Sequence, residues 1–290
     1  MPTSSAARIL DQTTPAALRA PSPIVKWVGG KGRLLPQLTP LLPPGVELMR
    51  HVEPFVGGGA LFFGRRPARA LLCDVNPALI NTYEAVRDAS GEVIGHLEDL
   101  ASEHSKESYY RVRERYNRAR KLTSAQRAAM FIYLNKTCFN GLHRVNRRGE
   151  FNVPAGRYKN PNIVNADGVL AASAQLQSAK LVCDGFEGLL SRARPGDFIY
   201  FDPPYEPVSE TANFTSYAQD GFAREDQMRL RDVFAALDKR GCKLMLSNSD
   251  VPFIRELYRA YKIDTIAAPR AINCDAKRRG PVPEVVVRNY

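Results

Sequence analysis

The chain has 290 residues, 44% of them hydrophobic and 24% charged, with a mean hydropathy of -0.30. Those proportions fit a folded globular protein of one large or two smaller domains and exclude a disordered or collagen-like chain. Lys and Arg outnumber Asp and Glu by 41 to 30. The excess sits in one place, because residues 106–160 hold 14 basic side chains against 3 acidic ones. Such a segment points to a polyanion, most simply nucleic acid, the other reading being a solvated basic helix.

In chain order, the first 22 residues are rich in Ala, Pro, Ser and Thr and lack the apolar block of a secretory signal, so they read as a loose tail. No apolar run approaches the roughly 18 residues of a membrane span, and cytoplasmic location is the default expectation. Glu47 to Glu53 is a weak strand candidate and Leu71–Cys73 a stronger one. Asn76-Pro77 offers an N-cap followed by proline at the first helical position, with Leu79, Ile80 and Tyr83 on one face behind it. In the basic segment, Tyr109, Val112, Tyr116 and Ala119 repeat at helical spacing, and Ala128–Leu134 predicts a second, more apolar helix. Residues 139–161 turn rich in Gly, Asn, Arg and Pro, as in an ordered loop. Further strands are predicted at Lys180–Cys183, Phe198–Phe201, Lys243–Leu246, Ile263–Ile266 and Glu284–Val287. Helices are predicted through Leu230, Val233, Phe234 and Leu237, and through Ile254, Leu257, Tyr258 and Tyr261. Strands alternating with helices imply an α/β fold with an open, mostly parallel sheet. A helical and loop insertion at 86–170 would divide that domain into 23–85 and 171–290.

Asp202-Pro203-Pro204-Tyr205 directly follows the strand Phe198–Phe201. The carboxyl end of a parallel strand is where α/β sheets place their sites. The residue types suit transfer to an exocyclic amine, a poor nucleophile because its lone pair is delocalised into a ring. Asp202 can accept one hydrogen bond from such an amine and the Pro203 carbonyl another. Together they draw the nitrogen towards tetrahedral geometry and free the lone pair. Pro203 and Pro204 restrict the backbone that carries the acceptors, and Tyr205 can stack on a flat base. A tight turn with a surface Tyr is the bland alternative.

Other motifs are less specific alone. Glu53-Pro54-Phe55-Val56-Gly57-Gly58-Gly59-Ala60 places glycines after a strand, where backbone can approach a ligand closely. Asp74, at the end of the next strand, is placed for ribose hydroxyls or for capping the next helix. Neither G-x-G-x-x-G nor a P-loop is present. Lys26-Trp27-Val28-Gly29-Gly30-Lys31 surrounds the single Trp with two ammonium groups, which suits a ligand with an adenine and a carboxylate; a core Trp is the other reading. The run Phe139-Asn140-Gly141-Leu142-His143-Arg144-Val145-Asn146, continuing through Pro154 to Arg157-Tyr158, mixes base-reading Arg and Asn with residues that can wedge or stack. A solvated basic hairpin has the same composition. Asn213–Tyr217 and Leu246–Asp250 can each line the site or form ordinary loops. The five cysteines are widely spaced and the four histidines show no metal spacing, so neither a disulfide framework nor a metal site is expected.

Taken together, these motifs resemble the DNA adenine N6-methyltransferase (Dam) family over about residues 24–290. Their order resembles that of the α group of amino-methyltransferases. The resemblance implies a Rossmann-like S-adenosylmethionine-dependent methyltransferase fold with an inserted DNA-recognition unit. It implies S-adenosylmethionine as donor, contacted by Trp27, Lys31, Asp74 and Asp202, wrapped by Phe55, Gly57 and Gly59, with Phe186 near its adenine. Asp202, Pro203, Pro204 and Tyr205 would hold a flipped adenine. Double-stranded DNA containing GATC would be the partner, with Arg144 on the guanine. Asn140 and Leu142 would fill the site left by the flipped base, supported by Phe139 and Tyr158, with Asn146 and Arg157 also on the DNA. No metal, membrane or obligate protein partner is expected. Two rivals remain open: an amino-methyltransferase for another planar amine, which the large basic insertion disfavours, and a DNA-binding module without catalysis, which Asp202 and Tyr205 disfavour.

Overall fold

Phe198–Phe201 is apolar at four successive positions, and in the computed structural model all four are buried. Burial on both faces is what a central parallel strand requires. Each large side chain so placed contributes about 1.5–3 kcal/mol. The structure describes residues 20–208, 222–268 and 282–290. Most of the N-terminal tail, Asn213–Tyr217, and Asn273 to Arg279 of the last loop lie outside the described residues.

Seven strands form one sheet in the order β3-β2-β1-β4-β5-β7-β6. They are β1 His51–Glu53, β2 Ala70–Asp74, β3 Ala179–Cys183, β4 Phe198–Phe201, β5 Lys243–Ser249, β6 Lys262–Ala268 and β7 Val282–Arg288. β1 to β5 pair in parallel, while β7 runs antiparallel between β5 and β6. The mostly parallel α/β sheet expected from the sequence is therefore present. The weak candidate at Glu47–Glu53 resolves into a short 3-10 turn at Val46–Leu48 and strand β1. β5 runs three residues beyond the predicted end, so Ser247, Asn248 and Ser249 are buried strand and not loop.

Among the described residues the helices are α1 Leu35–Leu38, α2 Ala60–Arg65, α3 Pro77–Asp88, α4 Ser90–Ser102, α5 Lys106–Arg118, α6 Ser124–Thr137, α7 Ala166–Leu176, α8 Leu189–Arg192, α9 Arg224–Lys239 and α10 Pro252–Leu257. Asn76 caps α3, its side chain accepting from the N–H groups of Ala78 and Leu79. Thr123 and Gln126 close a reciprocal capping box on α6. α10 stops at Leu257, so Tyr258 and Tyr261 do not continue that helix as predicted. They follow it in a turn, where both rings pack edge-on against Phe234 of α9.

One face of the sheet shares a continuous core with the basic segment. Phe62, Tyr83 and Val86 pack in the same cluster as Tyr109, Phe131, Ile132 and Val153. α6 is buried almost all round, which its nearly unbroken apolar run Ala128–Leu134 demands. The other face is covered mainly by α9 through Leu230, Val233, Phe234 and Leu237. The chain order reverses at β1, which is flanked by β2 and β4. Ligands of open α/β sheets bind outside the strand ends at such a switch point.

Candidate active site and reading loop

Three strand ends converge at the switch point: Glu53 of β1, Asp74 of β2 and Asp202 just after β4. Lys31 reaches them from the N-terminal segment. Its Nζ lies 2.7 Å from Asp202 Oδ1 and donates to the Gly29 carbonyl at 2.6 Å. Lys31 is only 5% exposed, which a lysine tolerates when its charge is paired. The same ammonium sits over the Tyr205 ring, 4.7 Å from its centroid. Burial lifts the Asp202 carboxyl to about 6; Lys31 opposes the rise, and Glu53 and Glu284 add to it.

The Asp202–Tyr205 corner is held by residues far away in the chain. Gln227 of α9 donates to the Pro204 carbonyl at 2.9 Å. Asn248 of β5 accepts from the Glu206 N–H at 3.0 Å and donates to Gln227 at 3.1 Å, and the Ser249 hydroxyl donates to the Glu206 carbonyl at 2.6 Å. Tyr205 donates its hydroxyl to Glu284 of β7 at 2.9 Å. Gln227 and Glu284 were not singled out from the sequence. Gln227 did leave a trace, since it stands one turn before Leu230 on the apolar face of α9, where a polar side chain has to find a buried partner.

Glu53 is fixed from behind. Arg65 donates to His51 Nδ1 at 2.7 Å, so His51 carries its hydrogen on Nε2 and donates it to Glu53 Oε1 at 2.7 Å. His51 is fully buried, and burial lowers its basicity, which keeps the ring neutral. The glycine loop then leaves β1 with Gly57 at φ +45° and Gly59 at φ +66°. A Cβ on Gly57 would come within 2.6 Å of the Trp27 ring, so Trp27 lies directly on the loop. Asp74 accepts from the Gly57 N–H and the Asn76 N–H, both at 3.0 Å, tying the loop to the end of β2. Phe55 and Phe186 stack on each other at 5.6 Å between centroids, with Phe222 edge-on to both. Trp27, Lys31, Phe55, Gly57, Gly59, Asp74, Phe186 and Asp202 thus gather around one end of the sheet.

The loop at residues 139–158 lies beside this pocket. Phe139–Gly141 forms a 3-10 turn with Asn140 at φ +53° and Gly141 at φ +64°. Phe139 and Asn140 are exposed and Leu142 is half-buried. Residues 138–155 close into a hairpin through the antiparallel bridges Cys138–Ala155 and Val145–Phe151. Arg144 is exposed and oriented by Asn152 Oδ1 at 2.8 Å. Asn146 uses its amide within the hairpin, donating to Glu150 and accepting from the N–H groups of Arg148 and Glu150. Arg157 and Tyr158 are exposed at the foot of the hairpin, where Lys26 Nζ lies 4.1 Å from the Tyr158 ring.

Pocket and loop are joined by Asn135 of α6, which is 2% exposed. It accepts from the Lys26 N–H at 2.7 Å and donates to the carbonyls of Lys26 and Gly141 at 2.8 and 3.1 Å. Trp27 also stacks on His143 of the loop at 5.5 Å. Sequence periodicity hides Asn135 inside an apolar helix. Among the described residues no three His, Cys, Asp or Glu side chains gather as a metal site, and no helix is long and apolar enough to cross a membrane. Cys73, Cys138 and Cys242 are buried free thiols, whereas Cys183 is exposed.

With this geometry described, residues 27–272 match the D12 class N6 adenine-specific DNA methyltransferases. The chain belongs to that family. It is 45% identical over 273 residues to the Type II methyltransferase M1.LlaDCHI of Lactococcus lactis subsp. cremoris, covering 92% of this chain and 95% of the relative. It is 40% identical to the Type II methyltransferase M.MjaIII of Methanocaldococcus jannaschii, covering 92% and 99%. It is 36% identical to the DNA adenine methylase of Escherichia coli K12, covering 90% and 93%. This methyltransferase is thus an adenine-specific DNA-modifying enzyme.

Proposed function

We propose that this methyltransferase takes its methyl group from S-adenosylmethionine and transfers it to N6 of the adenine in GATC, within duplex DNA, after the adenine has left the stack. The observation that carries this reading is the Asp202–Tyr205 corner at the end of β4, facing Lys31 and adjoining a basic reading hairpin.

The pocket residues fit the donor. Its sulfonium is a cation, and three carboxylates, Glu53, Asp202 and Glu284, stand near one lysine there. Phe55 and Phe186 offer flat apolar faces for an adenine, Asp74 an acceptor for ribose hydroxyls, and Lys31 a cation for a carboxylate. Trp27 and the left-handed Gly57 and Gly59 let the backbone pass close to the ligand. When bound, the donor supplies an electrophilic methyl group. The work left to the protein is positioning and charge stabilisation. Asp202 and the Pro203 carbonyl accept from the target amine. Pro204, tied to Gln227, keeps that backbone still, and the Tyr205 ring covers the base.

Specificity is assigned to the hairpin. Arg144 reads guanine, the commonest specific use of an arginine in a major groove. Phe139, Asn140 and Leu142 stand at the point where an extruded base leaves a gap, at an unstacking cost of a few kcal/mol. Arg157 and Tyr158 flank that point, and Asn146 acts through the shape of the hairpin. Residues 86–170 would then be the recognition unit, and 23–85 with 171–290 the transferase. Support for GATC comes from the match of Asn140-Gly141-Leu142-His143-Arg144 and Gly149–Pro154 to the Dam reading motif.

The test is transfer of labelled methyl from S-adenosylmethionine to two duplexes, one with GATC and one with those four bases scrambled. Label only in the first, as N6-methyladenine, is expected. Label in both would keep the chemistry and remove the specificity.

A further inference from the structure

We infer that Glu284 is a positioning residue for methyl transfer, holding the Tyr205 ring at the angle at which it covers the target base. The inference rests on the proposed role of Asp202 and Tyr205.

The backbone of the corner is already fixed by Gln227, Asn248 and Ser249. What those bonds leave free is rotation of the Tyr205 side chain. Its hydroxyl is held by Glu284 Oε2 at 2.9 Å, and its face is held by the Lys31 ammonium. A phenol gripped at its tip and on one face keeps its other face in place for a flat partner. Glu284 reaches the corner because β7 inserts antiparallel between β5 and β6. That register sets Glu284 opposite Ser249, the residue whose hydroxyl secures the Glu206 carbonyl. One rung of the sheet therefore anchors both the backbone and the aromatic ring of the corner.

The placement works against local stability. The groups facing Asp202 are Lys31, Glu53, Glu284, Tyr200 and Tyr205, so three carboxylates share one ammonium. Glu284 raises the Asp202 pKa, as a nearby like charge does. A residue serving only the sheet would not need a carboxylate here, since a β-branched apolar side chain suits a strand better.

The experiment uses the full chain with Glu284→Ala, Glu284→Gln, Tyr205→Phe, Tyr205→Ala and the double variant Glu284→Ala/Tyr205→Phe. Single-turnover methyl transfer to an adenine-containing duplex is measured against pH, and donor KM separately. Glu284→Ala and Tyr205→Phe are each expected to slow transfer by roughly tenfold to a hundredfold, as for loss of a hydrogen bond to a charged group. Donor KM should stay within about twofold, and the double variant should be no slower than the slower single one, because both remove the same bond. Glu284→Gln keeps an acceptor and loses the charge. It should retain most of the rate while its acidic limb moves to lower pH. Additive losses in the double variant would overturn the proposal, as would a Glu284→Gln enzyme as slow as Glu284→Ala with an unmoved limb. Full activity in Tyr205→Ala would instead remove the reading of Tyr205 on which the proposal stands.

Discussion

At the Asp202–Tyr205 corner, the tetrapeptide is held by Lys31 near the start of the chain, Gln227 in its last third and Glu284 near its end, and Asn248 secures Gln227 and the following Glu206 N–H. The 138–155 hairpin is held at its tip by its own residues, Arg144 by Asn152, Asn146 by Glu150 and Phe139 by Pro154, and along its returning limb by Asn117, Tyr109 and Arg113 of the neighbouring helix α5. The hairpin is joined to the Lys26–Lys31 segment, whose Lys31 faces the corner, through Asn135 and the Trp27–His143 stack. The contrast suits the tasks proposed for them. Stabilisation of a transition state needs acceptors that do not move, and a closed sheet supplies that rigidity. A DNA-reading element has to present exposed Arg and Asn to a groove, and a short hairpin braced from behind by helix α5 does so.

If the corner alone carries chemistry, Asp202→Ala should lower single-turnover transfer by roughly a hundredfold to a thousandfold, the range seen when a key transition-state hydrogen-bonding group is removed. DNA affinity in a gel shift should stay nearly unchanged. Measurable turnover near the wild-type rate would take the chemistry away from the corner.

Asn135→Ala attacks the joint. It leaves the Lys26 N–H and the Lys26 and Gly141 carbonyls without this partner, at a cost of about 2–4 kcal/mol in unfolding free energy. Denaturant titration reads the loss. If pocket and loop are coupled there, donor KM and site selectivity should worsen together in the folded variant; a change in only one would separate the two regions.

Arg144→Ala should touch the hairpin alone. Discrimination at one guanine is expected to fall by roughly 1–3 kcal/mol, with transfer to the remaining sequence intact. Competition between duplexes that differ at that base reads it, and an unchanged ratio would remove Arg144 from base reading.

The smallest effect is expected from pH. Asp202 is held above its ordinary value, at about 6, so acidification protonates it earlier than a solvated aspartate. A protonated carboxyl loses an acceptor for the target amine. Transfer efficiency should therefore be full above about pH 7 and fall near tenfold per unit below pH 6. A limb at pH 4 would mean that Asp202 is charged more easily than its surroundings allow, or that another group sets the limb.

Much of this was legible from the chain. The apolar runs Leu71–Cys73, Lys180–Cys183 and Phe198–Phe201 mark strands because burial on both faces needs unbroken hydrophobicity, and Asn76-Pro77 marks a helix start by its hydrogen-bonding capacity. Asp202-Pro203-Pro204-Tyr205 stands out because its residues are contiguous. β1 was only faintly visible, since three residues are too few to establish a period. The helix through Ile254 ends earlier than its spacing predicts, because Tyr258 and Tyr261 keep that spacing approximately while the backbone has already turned.

The sequence by itself determined the sheet's material, the Asp202–Tyr205 tetrapeptide and the basic segment as candidates, because each depends on neighbours a few residues away. Only the tertiary structure decided which strands lie next to which, and so where Glu284, Gln227 and Asn248 meet the corner. It also decided that Asn135 inside an apolar helix would join the pocket to the hairpin. Such contacts depend on chain reversal at β1 and on the antiparallel insertion of β7. Hydrogen bonds between residues a hundred positions apart leave no period in the sequence between them.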